Sequence, residues 1–154
     1  MSAGSSKFTT LGEDGRYHFD ATSRHVLDGD AQVYTANIVV AAVDETLLGE
    51  REYVVRLLEV DTPERDSDYE GWKAAVDWVK DFLTEQDDQG KTVPIEGGRL
   101  TLTGQRDVYG RYLGWFELNG IDVSHELASR GLGTAQPLEQ HVERLAVDYG
   151  WGKA

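Results

Sequence analysis

The chain has 154 residues, 40% of them hydrophobic and 28% charged, and its 28 acidic and 15 basic side chains leave a net charge of −13. That length suits one domain, the absence of cysteine excludes disulfides and thiolate metal sites, and no apolar run approaches the roughly 20 residues of a membrane span. The charge has the wrong sign for a protein that coats nucleic acid by bulk attraction, although clustered arginines and a bound cation can reverse the field at one site.

Residues 1–15 read as a disordered tail. They are small and polar, end in Gly-Glu-Asp-Gly, and lack the basic and apolar regions of a secretory signal, so a cytoplasmic protein is expected, with a secreted mature form as the alternative, and its domain over residues 16–154. Tyr17, Phe19, Ala21 and Leu27 alternate as in a strand that stops at Asp28-Gly29-Asp30. Val33 to Val43 is rich in β-branched residues and reads as a second strand, followed by a break over Asp44 to Glu50. A third strand runs from Tyr53 to Val60, closed by Asp61-Thr62-Pro63-Glu64, where the proline lacks an amide donor.

Tyr69, Trp72, Val76, Val79 and Leu83 recur at spacings of three and four, which predicts a helix with this face in the core. Glu85 to Gly98 reads as a loop or irregular hairpin, before strands at Leu100–Thr103 and Tyr112–Leu118 and a turn at Asn119-Gly120. Ser124 is expected to cap a helix reaching Arg130, with Gly131 ending it. A last helix, Leu138 to Tyr149, would bury Leu138, Val142, Leu145 and Tyr149. Five strands, one helix after the third and two at the end define an α+β domain around a small barrel.

Two short segments concentrate reactive side chains. In Arg56-Leu57-Leu58-Glu59-Val60-Asp61-Thr62-Pro63-Glu64 the strand period puts Arg56 and Leu58 on one face, and Asp61, Thr62 and Glu64 at the strand end, where they can converge on a cleft. In Asp107-Val108-Tyr109-Gly110-Arg111 a second arginine follows a glycine that permits a tight turn. Taken singly these residues have blander roles: an arginine in a surface ion pair, acids that cap the coming helix, Asp28-Gly29-Asp30 as a plain turn. His18, His25, His125 and His141 lack metal-ligand spacing and read as structural or solvated, and Trp72, Trp78, Trp115 and Trp151 as packing.

Together, in this order, and with Gly114-Trp115-Phe116-Glu117-Leu118-Asn119-Gly120 and Val123-Ser124-His125-Glu126-Leu127-Ala128-Ser129-Arg130-Gly131-Leu132, the two segments resemble the staphylococcal nuclease (thermonuclease) family over roughly residues 30 to 150. The resemblance implies a five-stranded OB-type β-barrel with three α-helices. It implies a calcium-dependent nuclease acting on single-stranded or unwound DNA, with RNA a further candidate substrate. Arg56 and Arg111 match the phosphate-binding arginines, Glu64 the carboxylate that activates or orients water, and Tyr109 a substrate contact. Asp61 and the Thr62 carbonyl match Ca²⁺ ligands, hard oxygen donors suited to that ion.

The remaining metal ligand has two candidates. Asp30 keeps an acid-glycine-acid pattern but precedes Arg56 by a long hairpin, whereas Asp44 lies at the more usual distance without the glycine. Val108 stands where the family usually has lysine, and no tyrosine pair follows Gly131. A monomer without membrane attachment is expected. The alternative is an OB-type module that binds nucleic acid or protein without catalysis, which the acidic charge favours.

Overall fold

The computed structural model describes residues 10–24, 35–45 and 49–147. In chain order these form β1 (Thr10–Leu11), β2 (Tyr17–Ser23), β3 (Ile38–Glu45), β4 (Gly49–Leu57), β5 (Val60–Asp61), α1 (Tyr69–Leu83), β6 (Thr84–Gln86), β7 (Thr92–Pro94), β8 (Gly98–Arg106), β9 (Tyr112–Leu118), β10 (Ile121–Asp122), α2 (Val123–Ser129), β11 (Thr134–Ala135) and α3 (Leu138–Leu145). Asp30 lies outside the described residues, as do Val33, Tyr149 and Trp151.

Five strands close on themselves. β2 pairs with β3 and β8, β3 with β4, and β8 with β9, all antiparallel, and the parallel pairing of β4 with β9 shuts the barrel. The β2–β3 and β4–β9 seams are short, two and three residue pairs, so the barrel closes in the partly open manner of an OB-type sheet. The expected five-stranded OB-type barrel with three helices is therefore the observed fold. Phe19, Val39, Val55, Leu57, Leu100 and Phe116 fill it. Gly114 is needed in β9 because a Cβ there would stand 2.0 Å from the Thr101 carbonyl oxygen.

Several boundaries differ from expectation. Ordered structure begins before residue 16, since β1 pairs with Tyr17 and His18 of β2. The break expected at Asp44 is a continuation of the β3–β4 ladder, which runs unshifted from Ile38↔Arg56 to Glu45↔Gly49. The third strand ends at Leu57 and not Val60, because Glu59 takes a left-handed φ of 70° and turns the chain into β5. Asp122, not Ser124, caps α2: its side chain accepts from the His125 N–H, while Ser124 is buried. Both have capping oxygens, and the pairing of Asp122 with Glu117 decides where the helix starts.

The helix α1 starts where expected, but its apolar face is divided. Val76, Val79 and Leu83 are buried and Trp72 is half-buried against the core, whereas Tyr69 at the helix start is exposed. A separate apolar patch of Leu58, Leu113 and Trp115 on the barrel wall receives Leu138, Val142 and Leu145 of α3. A helix of eight residues has little stability alone, and this contact supplies it.

Candidate functional site

Arg56, the penultimate residue of β4, is buried where the chain leaves the barrel. Its Nη1 donates to the carbonyls of Leu57 and Val60, the latter at 3.1 Å, and its Nη2 donates to Asp61 Oδ1 at 2.5 Å. The guanidinium thus ties together the two sides of the Leu58–Glu59 kink, which fixes β5 and brings Asp61 and Thr62 onto the rim. Burial lowers the Arg56 pKa, against the hydrogen bond and charge of Asp61.

Arg111 is aimed by a different device. Asp107, only 2% exposed, accepts the backbone N–H groups of Tyr109 and Arg111 on Oδ1, each at 2.9 Å, and Arg111 Nε on Oδ2 at 2.7 Å. Gly110, at φ 81°, closes the turn. The Arg111 guanidinium then lies over the Tyr109 ring, 4.8 Å from its centroid. One buried carboxylate therefore shapes the turn and holds the arginine at its end.

These residues share one cavity of about 630 Å³. Arg56, Arg111, Asp61, Thr62, Glu64 and Tyr109 all line it, so the expected catalytic and rim residues are brought together. Glu64 is exposed, and its carboxylate makes no hydrogen bond or ion pair among the described contacts. Tyr109 is 79% exposed at the mouth, and Trp72 of α1 forms part of another wall.

Asp44 is not part of this group. It pairs with Glu50, six positions along β3 from Ile38, which faces Arg56; at about 3.3 Å per residue that is roughly 20 Å away. It lines a separate cavity with Asp20, Arg24 and Glu50.

Six lining residues were not anticipated in the site: the polar Thr35, Asn37, Arg65 and Arg144, and Trp72 and Leu145, which the sequence assigned to packing. Thr35 Oγ1 lies 3.5 Å from Thr62 Oγ1 and donates to Asn37 at 2.9 Å. Arg144, from α3, donates through Nη2 to Asp61 Oδ2 at 2.6 Å. Behind it, His141 is buried; its Nδ1 accepts the Glu59 N–H at 2.9 Å, so Nε2 carries the proton and faces Asp61 Oδ1 at 3.3 Å. Burial, then the Arg56 charge, lowers the His141 pKa and keeps the ring neutral. Burial pushes the Asp61 carboxyl up, but the Arg56 hydrogen bond and the neighbouring charges outweigh it and leave the group below its ordinary value.

The calcium donors that the resemblance implies are only partly among the described residues, since Asp30 lies outside them. No group of three or more His, Cys, Asp or Glu with metal-holding geometry occurs among them, and both Asp61 oxygens already accept from arginines. A Ca²⁺ ion takes six to eight oxygens. Asp61, the Thr62 carbonyl and the neutral oxygens of Thr35 and Asn37 could supply part of such a shell, with Glu64 in the same cavity and water to complete it.

A closed OB-type barrel with helices around it, two arginines and a carboxylate at one rim cavity, and a turn organised by Asp107 define a nuclease-like α+β protein. The model of the staphylococcal nuclease homologue family matches residues 54–147, and the chain belongs to that family. No curated protein matches the chain. Among the described residues, no helix is long and apolar enough to cross a membrane.

Proposed function

We propose that the chain hydrolyses phosphodiester bonds in single-stranded or unwound DNA, with RNA as a second substrate class. The observation that carries this reading is the convergence of Arg56, Arg111 and Glu64 on one cavity. As water attacks phosphorus, negative charge gathers on the equatorial oxygens, and guanidinium forks stabilise it with paired donors that a lysine lacks. Glu64, exposed and unpaired, accepts the proton of the attacking water or orients that water. The new P–O bond forms as the bond to the sugar oxygen breaks, and that oxygen takes its proton from solvent. Tyr109, 79% exposed at the mouth, offers an unpaired base the ring face opposite Arg111, which favours single strands.

Calcium is proposed as cofactor on the donors that the resemblance implies, Asp61, the Thr62 carbonyl and Asp30, and Asp61 would have to exchange its arginine partners for the ion. The reading is tested by incubating the protein with denatured DNA and Ca²⁺, with and without EDTA. Digestion that EDTA stops supports both the activity and the cofactor; digestion that survives EDTA removes the cofactor only; no digestion at any calcium concentration removes the activity. The engagement of Asp61 by two arginines favours a second reading, a non-catalytic nucleic-acid-binding module, which predicts retention of the strand without cleavage.

A further inference from the structure

The helix α3 brings a third guanidinium to the cavity that holds Arg56 and Arg111. The packing of Leu138, Val142 and Leu145 on Leu58, Leu113 and Trp115 sets the helix on the barrel, and the hydrogen bond from the Glu59 N–H to His141 locks its height. Arg144, three residues after His141, reaches the cavity and donates to Asp61 at 2.6 Å. Only one of its N–H donors is engaged there among the described contacts, and a guanidinium has five. Its side chain is 53% exposed and lines the cavity.

We propose that Arg144 is a third phosphate-contacting arginine, held by Asp61, which binds a backbone phosphate of a single strand without a divalent cation. This rests on the nucleic-acid reading given above. Asp61 is already neutralised by Arg56 at 2.5 Å, so a second arginine leaves an excess of positive charge. Around the cavity, four arginines (Arg56, Arg65, Arg111, Arg144) meet three carboxylates (Asp61, Glu64 and the Asp107 that holds Arg111), an excess of one positive charge. A local excess of positive charge on a chain of net charge −13 concentrates a phosphate at this cavity. A purely structural ion pair this exposed contributes little to the fold. Its removal would leave strand binding unchanged.

The test uses the full chain with fluorescently labelled hexathymidylate in EDTA, with anisotropy read over a series of salt concentrations. Wild type is expected to bind. Arg144→Gln should bind about tenfold less tightly, the loss of one charge-assisted contact. Its plot of log affinity against log salt should be shallower by about 0.7, the signature of one phosphate contact fewer on a single strand. Arg144→Lys should recover the slope and only part of the affinity, because it restores the charge without the fork. Equal affinity and slope in wild type and Arg144→Gln would overturn the proposal while leaving the nuclease reading standing. Weaker binding at an unchanged slope would also overturn it, since that marks a structural effect. Failure of wild type to bind in EDTA would overturn the proposal, whereas the nuclease reading, which calls for Ca²⁺, stands or falls on the digestion assay.

Discussion

Removing the Asp107 carboxylate should expose how much of the site depends on one buried group. It accepts two backbone N–H groups at 2.9 Å and Arg111 Nε at 2.7 Å. At about 1 kcal/mol for each backbone bond and about 1.5 kcal/mol for the charge-assisted one, at the low end because Arg111 is partly exposed, Asp107→Ala should cost about 3–4 kcal/mol. With a urea m-value of about 2 kcal/mol/M, the unfolding midpoint falls by about 1.5–2 M at unchanged m. Asp107→Asn keeps an oxygen for the two backbone donors but turns its amide nitrogen, itself a donor, toward Arg111 Nε and loses the charge-assisted bond, so its cost should be at least about 1.5 kcal/mol. Urea unfolding followed by tryptophan fluorescence measures both. The reasoning fails if the asparagine variant is as unstable as the alanine variant, or if both lie within about 0.5 kcal/mol of wild type.

Asp122 gives a pH prediction of opposite sign to the usual carboxylate. Burial raises its pKa, against the hydrogen bonds it accepts at the start of α2, so folding favours its protonated form. Its contribution to stability is therefore largest below the ordinary carboxylate pKa and declines as pH rises from there through the raised folded value. Asp122→Asn keeps a cap oxygen for the His125 N–H and lacks that decline, so its stability relative to wild type should climb over this range and then level off; a wild type that gains on the variant with rising pH would contradict the assignment. Gly114→Ala should destabilise by at least about 2 kcal/mol, because the added methyl meets the Thr101 carbonyl across β8 and β9 and backbone cannot move aside as a side chain would. Thermal unfolding near the wild-type temperature would show that the strands have more room there than the geometry allows.

What could be read from the sequence divides by how far apart the partners lie along the chain. Arg56, Asp61, Thr62 and Glu64 sit within nine residues, and a strand period followed by proline is enough to place them at one rim. The helix α1 was legible to the residue because fifteen positions of period 3.6 outweigh local noise. The kink at Glu59 was not, since an apolar run reads as a continuous strand and only the bonds from Arg56 to the Leu57 and Val60 carbonyls reveal the turn. Arg144 meets Asp61 from 83 positions away, a pairing that no local pattern reports. A signal did exist in α3: His141 falls among Leu138, Val142 and Leu145, so the buried helix face carries an imidazole that must find partners, and Arg144 follows one turn later. The structural role expected for His141 is the one it has, but its partner is the site itself. Asp44 was a candidate on spacing alone, and the unshifted β3–β4 ladder carries it to the far end of the hairpin.

Glu64→Gln tests the account most directly. Arg56 and Arg111 also hold backbone or a buried carboxylate, so their variants would mix folding with chemistry, whereas Glu64 is exposed and makes no described hydrogen bond or ion pair. The variant should unfold within about 0.5 kcal/mol of wild type. Its turnover of denatured DNA with Ca²⁺ should fall by about 100-fold or more, as expected when a group that handles the attacking water loses its charge. A stable Glu64→Gln protein that cleaves DNA as fast as wild type would contradict the assignment of this cavity as the hydrolytic site.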